Sequence, residues 1–544
     1  MDYPYVNTTH GMIVGQWRQE IAIFRGIPYG GRVDRERRWM TALPAENWEG
    51  VRDCTKNGPI AVQYGTSISG SGDFGVYFSG RQPELFGCDE EVQNENCLVL
   101  NVLTPGLDNK KRPVLVYMHG GGFASGSGTL VLGADQWCRE EDLVVVGVNH
   151  RLNVFGSLHL GAFDETYKES GMCGILDLVL ALEWVRDNIA AFGGDPDKVT
   201  IMGESGGGSK VNALLAMERA KGLFRGAIVE SGSGVPGTLS KAQATENTHL
   251  LLKYLGIDEK DWKQLLTLPA SVILEASVKC GVGGMGFGPC ADGINLAYNA
   301  NGEYVEADPS LPLLVGASEE ETAAFVDPKE RFSWEDLRKQ LLADYFDELK
   351  QPAPTDSVVE TKDKEGNKLW SPRIPKNGRK GLGYLDGVTP ENVDDIIAAF
   401  RRADQENIDP QHMLLRIQSM GSFLGQGAFR QAMAKYKKGR GPVYSYLVAF
   451  DAPHPRFPEH RYAWHTADLP LQMRIVPYLE CEKVSREMAH AWAAFIRTGS
   501  PSTSELPWPP FTKEKRETMV FDNVTQVKID PTLAYRKAFG KNNE

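Results

Sequence analysis

The sequence shows little sign of the basic face that a nucleic-acid partner requires. Asp and Glu number 71 against 59 Lys and Arg in 544 residues, for a formal net charge of -12, so no nucleic-acid partner is expected. No stretch approaches 18 consecutive apolar residues, which argues against a spanning helix and a membrane partner. The opening residues, Met1-Asp-Tyr-Pro-Tyr-Val-Asn-Thr-Thr-His10, carry neither the basic start nor the apolar centre of an export signal. Eight cysteines are present, but none in paired C-x-x-C spacing, so a zinc site is not expected. With no export signal, the thiols are expected to be reduced and the location cytoplasmic. Internal repeats are absent, and so is any linker that would separate autonomous domains.

What is present centres on Val199-Thr-Ile-Met-Gly-Glu-Ser-Gly-Gly-Gly-Ser209. A short β-branched run predicts a buried strand. Gly203-Glu204-Ser205-Gly206-Gly207 is a G-x-S-x-G pattern, and the good helix formers after it predict a helix. Strand, glycine-flanked serine and helix together are the context of a nucleophile held on a sharp turn. A serine hydroxyl is a poor nucleophile at neutral pH and needs a base, a group to orient that base, and donors for the oxyanion. His119-Gly120-Gly121-Gly122-Phe123 follows a predicted strand, and consecutive glycines let backbone N–H groups converge without Cβ interference. Gly121 and Gly122, with Gly206 next after the serine, are the oxyanion candidates.

Apolar runs at 97–102, 112–118, 142–149, 199–203, 226–230 and 311–316 predict strands, alternating with helical patterns at 177–189 and after Ser205. Alternation of this kind predicts an α/β architecture, a mostly parallel central sheet covered by helices on both faces. Further helices are predicted at 393–400, 412–436 and 484–496, and a strand at 443–448. From 351 to 383 the composition turns polar and rich in Lys, Pro and Gly, which predicts a surface insertion in a single catalytic domain of 1–544.

These motifs resemble the type-B carboxylesterase family, which includes bacterial para-nitrobenzyl esterase and the cholinesterases. The resemblance runs through Phe24-Arg-Gly-Ile-Pro-Tyr29, Asn94-Glu-Asn-Cys-Leu-Val-Leu-Asn101, 119–123, Asn149-His-Arg-Leu-Asn-Val-Phe-Gly156 and 188–208, with Phe192-Gly-Gly-Asp-Pro-Asp197 as a specific marker. It implies the α/β-hydrolase fold with chain order Ser, acid, His. It places the acid at Glu321 in Gly316-Ala-Ser-Glu-Glu-Glu321, with Glu319 and Glu320 as close rivals. It places the base at His465 in Trp464-His-Thr-Ala-Asp-Leu-Pro-Leu471, ahead of His460 and His454. It also implies ion pairs Arg25–Glu95 and Arg151–Asp177, a buried Ser231 beside the triad, and Glu204 near the substrate. Gly283, Met285 and Phe287 fall where relatives wall the acyl pocket. Small or flexible side chains at the first two predict room for acyl groups larger than acetyl. Relatives commonly carry Ala where this chain has Gly206, a change expected to spare the N–H donor and loosen the turn.

The resemblance therefore implies a carboxylic ester hydrolase that works through an acyl-enzyme on a small-molecule ester, with no cofactor and no metal. An amide or carbamate hydrolase with the same machinery is the alternative, and a non-catalytic binding protein of the family a more distant one. Neither the physiological substrate nor the oligomeric state is legible at this level.

Overall fold

A computed structural model describes residues 3–64, 92–232, 239–282, 286–296, 306–325, 333–348, 358–362, 368–372, 388–403, 408–453, 459–476 and 478–540. The chain divides into two compact units, neither continuous in sequence. The first comprises Met1–Ile228, Pro236–Asp308 and Asp356–Arg373; the second comprises Val229–Val235, Pro309–Thr355 and Ile374–Glu544.

The first unit is built on strands β1 (Gln16–Arg18), β2 (Ile21–Pro28), β3 (Val99–Thr104), β4 (Arg112–Met118), β5 (Val144–Val148), β6 (Gly194–Glu204) and the first three residues of β7 (Gly226–Glu230), whose last two fall in the second. Their order in the sheet is β7-β6-β4-β5-β3-β2-β1. β4 runs parallel to both β5 and β6, with Met118 opposite Val148 on one side and Gly203 on the other. β3 is antiparallel to both β5 and β2. The sheet is thus parallel where the glycine-rich turns leave it and antiparallel toward the β1 edge. All five residues of β5 and all six of β3 are buried. Such strands read as unbroken apolar runs because both of their faces are covered. Helix α1 (Cys173–Asn188) buries a nearly continuous apolar surface, and Asp177 within it is fully buried. That carboxylate is tolerated because Arg151 meets it with two hydrogen bonds, 2.7 and 2.8 Å long.

The second unit contributes β8 (Leu313–Ser318), β9 (Val443–Val448), β10 (Glu517–Phe521) and β11 (Gln526–Ile529), in the order β11-β10-β9-β8. β8, β9 and β10 are parallel, and β11 closes the edge antiparallel. Its core gathers Leu337, Val393, Phe400, Leu414, Ile417 and Leu447, all at most 2% exposed. The polar insertion carries a backbone hairpin, Val358–Lys362 against Lys368–Pro372, and its remaining residues lie outside the described ones. Among the described residues no helix is long and apolar enough to cross a membrane.

Candidate active site

Within the first unit, β6 ends at Glu204 and helix α2 (Gly206–Ala216) begins two residues later. Ser205 between them sits at φ +55°, ψ -123°, a conformation costing a residue with a Cβ about 1–3 kcal/mol. The glycines around it are required by close approach. A Cβ on Gly203 would stand 2.4 Å from the Gly207 carbonyl, and one on Gly207 would stand 2.1 Å from the Met118 oxygen. The turn therefore packs its own backbone against itself and against the end of β4.

The 119–123 loop leaves β4 through three consecutive left-handed residues, Gly121 (φ +85°), Gly122 (φ +58°) and Phe123 (φ +62°). The Gly121 carbonyl accepts from the N–H groups of Ala124 and Ser125, and the Phe123 carbonyl accepts from Asn153. Gln63 clamps the far side, accepting from Gly126 N–H at 2.8 Å and donating to its carbonyl at 3.1 Å. Among the described residues, nothing accepts from the N–H groups of Gly121, Gly122 or Gly206.

Gly206 touches this loop. A Cβ built on it would fall 2.5 Å from Gly122 N and 2.8 Å from Gly122 Cα. The glycine lets two donor-bearing backbones meet. Gly206→Ala, the residue common in relatives, should therefore push the loop away. We expect kcat to fall roughly ten- to a hundredfold, less than loss of a whole oxyanion donor, with KM little changed. Steady-state kinetics on a p-nitrophenyl ester reads this directly, and an unchanged kcat would show that the loop yields at no cost.

In the second unit Glu321 is fully buried. One of its oxygens meets His465 Nδ1 in a very short hydrogen bond. The other accepts from Ser231 Oγ at 2.5 Å and from Ser318 N–H at 2.7 Å. The rivals have different partners. Glu320 accepts from His412 Nδ1 at 2.7 Å, Arg416 Nε at 3.1 Å and Ala463 N–H. Glu319 faces Arg416 at 3.3 Å. His460 lies 3.7 Å from Glu459, and His454 lies outside the described residues. Asp468, fully buried, accepts from Tyr446 Oη at 2.8 Å. Burial and the charge of Glu321 push its carboxyl up, so the Glu321–His465 pair has a second acid close by that sequence reasoning passed over.

Other expectations fare unevenly. Arg151–Asp177 forms at 2.7 Å. Glu95, however, takes two 2.6 Å bonds from Arg38 rather than pairing with Arg25. Arg38 is anchored by the carbonyls of Leu265 and Leu268, so it is already aimed at Glu95. Phe287 is 3% exposed in a core with Trp39, Phe155, Leu158 and Ile273. Gly283 and Met285 lie outside the described residues. Glu204 is 2% exposed, and its Oε2 would lie 3.1 Å from a Cβ on Gly120.

Among the described residues, Glu320, His412 and Asp451 form a trio whose donor atoms lie within 4.8 Å of one another. Arg416 already bonds Glu320 there, so the charge is met from within the chain. Burial pulls the His412 imidazole down, but the bond to Glu320 and its charge outweigh this and push it up to about 9. A pKa raised on folding stabilises below the unfolded value of about 6.5 and loses that contribution as pH rises through the folded one. Asp451, pushed up to about 6 by burial and then by Glu320, finishes ionising in the first part of that window. The stability that His412 contributes should therefore be lost between about pH 6.5 and 9.5, so His412→Asn should make the slope of Tm against pH over that range more positive than in the wild type in a thermal-shift series. An unchanged slope would put the pH dependence elsewhere.

The model of the family described as carboxylesterase matches residues 2–537. The chain belongs to this family. It is 31% identical to the para-nitrobenzyl esterase of Bacillus subtilis, over 99% of this chain and 98% of the relative. A solved carboxylesterase of Geobacillus stearothermophilus superposes with TM-score 0.73 at 31% identity, covering 98% of this chain and 99% of that one. A Clostridium hathewayi esterase that hydrolyses aliphatic aromatic polyesters gives TM-score 0.73 at 27% identity, covering 99% of both chains. The fold is that of the α/β-hydrolases, and the enzyme is a serine hydrolase of carboxylic esters.

Proposed function

We propose that Ser205 is the nucleophile, His465 its general base and Glu321 the group that orients His465, in a single catalytic domain. The observation that carries this reading is the backbone of Ser205, strained between two glycines whose Cβ positions are filled. Strain of this kind persists only where the surroundings over-determine it. Ser205 Oγ attacks the ester carbonyl and forms a C–O bond while its proton passes to His465. The tetrahedral oxyanion is held by the N–H groups of Gly121, Gly122 and Gly206. Collapse expels the alcohol, which takes the proton from His465. Water activated by the same imidazole then releases the acid. Glu321 keeps the other imidazole nitrogen protonated and stabilises the imidazolium. Glu204 lines the substrate side, and no cofactor is required. The enzyme acts on small-molecule esters in the cytoplasm.

The enzyme prefers acids larger than acetate, because Gly283 and Met285 put no bulky ring in the sequence positions where relatives wall the acyl pocket. Each added buried methylene should favour turnover by about 0.8 kcal/mol, roughly fourfold, until the pocket is full. A series of acetyl, butyryl and benzoyl esters of one alcohol tests this. Butyryl should exceed acetyl in kcat/KM, and Gly283→Phe should reverse the order. Preference for acetyl in the wild type would move the pocket elsewhere.

A further inference from the structure

Lys210 is 0% exposed and belongs to the second turn of α2, in a run otherwise made of glycine, serine and valine. An ammonium so placed is costly unless its donors and charge are met. Its Nζ donates to the His119 carbonyl at 2.7 Å and to the Gly120 carbonyl at 3.4 Å, and lies 5.4 Å from the centre of the Phe123 ring. These three residues bracket the glycine pair of the loop after β4.

Titratable groups face it from three strand ends. His119 follows β4, His150 follows β5 and Glu204 closes β6. The imidazoles of His119 and His150 stack with centroids 5.0 Å apart at 20°. Burial and the Lys210 charge hold both well below the usual imidazole range, so both are neutral. Glu204 supplies the opposing charge. Burial nevertheless lowers the Lys210 ammonium to about 7, against the pull of Glu204.

A trans peptide unit is planar, and its C=O and N–H point in opposite directions. The Gly120 carbonyl shares its plane with the N–H of Gly121. That carbonyl is drawn toward Lys210 Nζ and also toward His119 Nδ1, at 3.0 Å. The Gly121 N–H is thereby turned away from Lys210. A cation on the carbonyl also polarises the plane and makes the opposite N–H a stronger donor.

We propose that Lys210 is a positioning residue of the oxyanion loop: its ammonium, bonded to the His119 and Gly120 carbonyls, orients and polarises the Gly120–Gly121 peptide as a donor to the ester oxyanion. The proposal rests on the reading of Ser205 as nucleophile and Gly121 as donor. Lys210 touches no reacting atom. Its charge must be present for the clamp to act at full strength, whereas His465 must be neutral to act as base. Activity should therefore rise with pH as the base deprotonates and fall again as Lys210 does.

The test compares wild type, Lys210→Met and Lys210→Gln on p-nitrophenyl butyrate from pH 5.5 to 9.5. Lys210→Met keeps the length and removes charge and donors; Lys210→Gln restores a neutral donor. We expect Lys210→Met to lose on the order of 10²-fold in kcat, near the lower end for an oxyanion donor. KM should stay within threefold, the alkaline fall should vanish, and Lys210→Gln should recover part of the rate. A trifluoromethyl ketone, which forms the tetrahedral oxyanion, should lose affinity in parallel. A variant that keeps kcat within threefold and retains the alkaline fall overturns the proposal, even if its Tm drops. If neither variant folds, the wild-type profile decides: an alkaline fall beginning near pH 7–8 supports the clamp, and a plateau to pH 9.5 overturns it. Labelling with a fluorophosphonate separates the two readings, since Ser205 is modified in Lys210→Met if the nucleophile is right and the clamp wrong.

Discussion

Ser205→Ala lowers kcat by on the order of 10⁶, the loss expected when the nucleophile of a serine hydrolase is removed, and leaves the Tm nearly unchanged. Alanine keeps the Cβ, so the φ of +55° is as costly as before, and only the hydroxyl is gone. Ser205→Gly is the informative companion. It is just as inactive, but it removes the Cβ from a left-handed position and should be more stable than the alanine variant by about 1–2 kcal/mol. Stopped assays of turnover beside thermal denaturation of the pair read both effects. Turnover near the wild-type level in either variant would remove Ser205 from the chemistry, and an alanine variant as stable as the glycine one would remove strain from the account.

The second large effect separates two neighbouring glutamates by different measurements. Glu321→Gln should lower kcat by on the order of 10⁴, because an amide can hold His465 in the wrong tautomer and cannot stabilise the imidazolium. Glu320→Gln should leave kcat within a few-fold. Its buried carboxylate is the partner of His412 and Arg416, so removing its charge should cost about 3–5 kcal/mol of stability. Kinetics and denaturant titration of the two variants thus give opposite rankings. Should Glu320→Gln be the inactive one, the acid moves by one position.

The contrast between these glutamates shows where sequence stops. Three identical residues in a row differ only in which way the backbone turns them, and β8 ends just before they begin. Side-chain chemistry alone could not tell them apart; their partners do, Ser231, Ser318 and His465 for Glu321 against His412 and Arg416 for Glu320. The strands at 112–118, 226–230 and 443–448 were legible to the residue because both faces are buried and the apolar runs stop where burial stops. The pattern at 412–436 is two helices, Pro410–Gly421 and Phe423–Lys438, parted by an extended Ser422 (ψ 166°). Apolar periodicity passes through a one-residue break unchanged, so it could not reveal this one. Glu95 was assigned the wrong arginine because a partner 57 positions distant, Arg38, is set by the carbonyls that anchor it. Lys210 did leave a trace: a single charge on an otherwise small and apolar first stretch of helix.

The tight glycines at the nucleophile bear on the unfolded chain as well. Exchanging glycine for alanine in a helix usually stabilises a protein by about 0.4–1 kcal/mol, by narrowing what the unfolded chain can explore. A scan for thermostability guided by that rule would mark Gly206 and Gly207 at the start of α2 first. Here the added methyl groups would meet the backbone at Gly122 and Met118. The disorder these residues keep when unfolded is inseparable from the turn they make when folded, and heat resistance must be sought away from it.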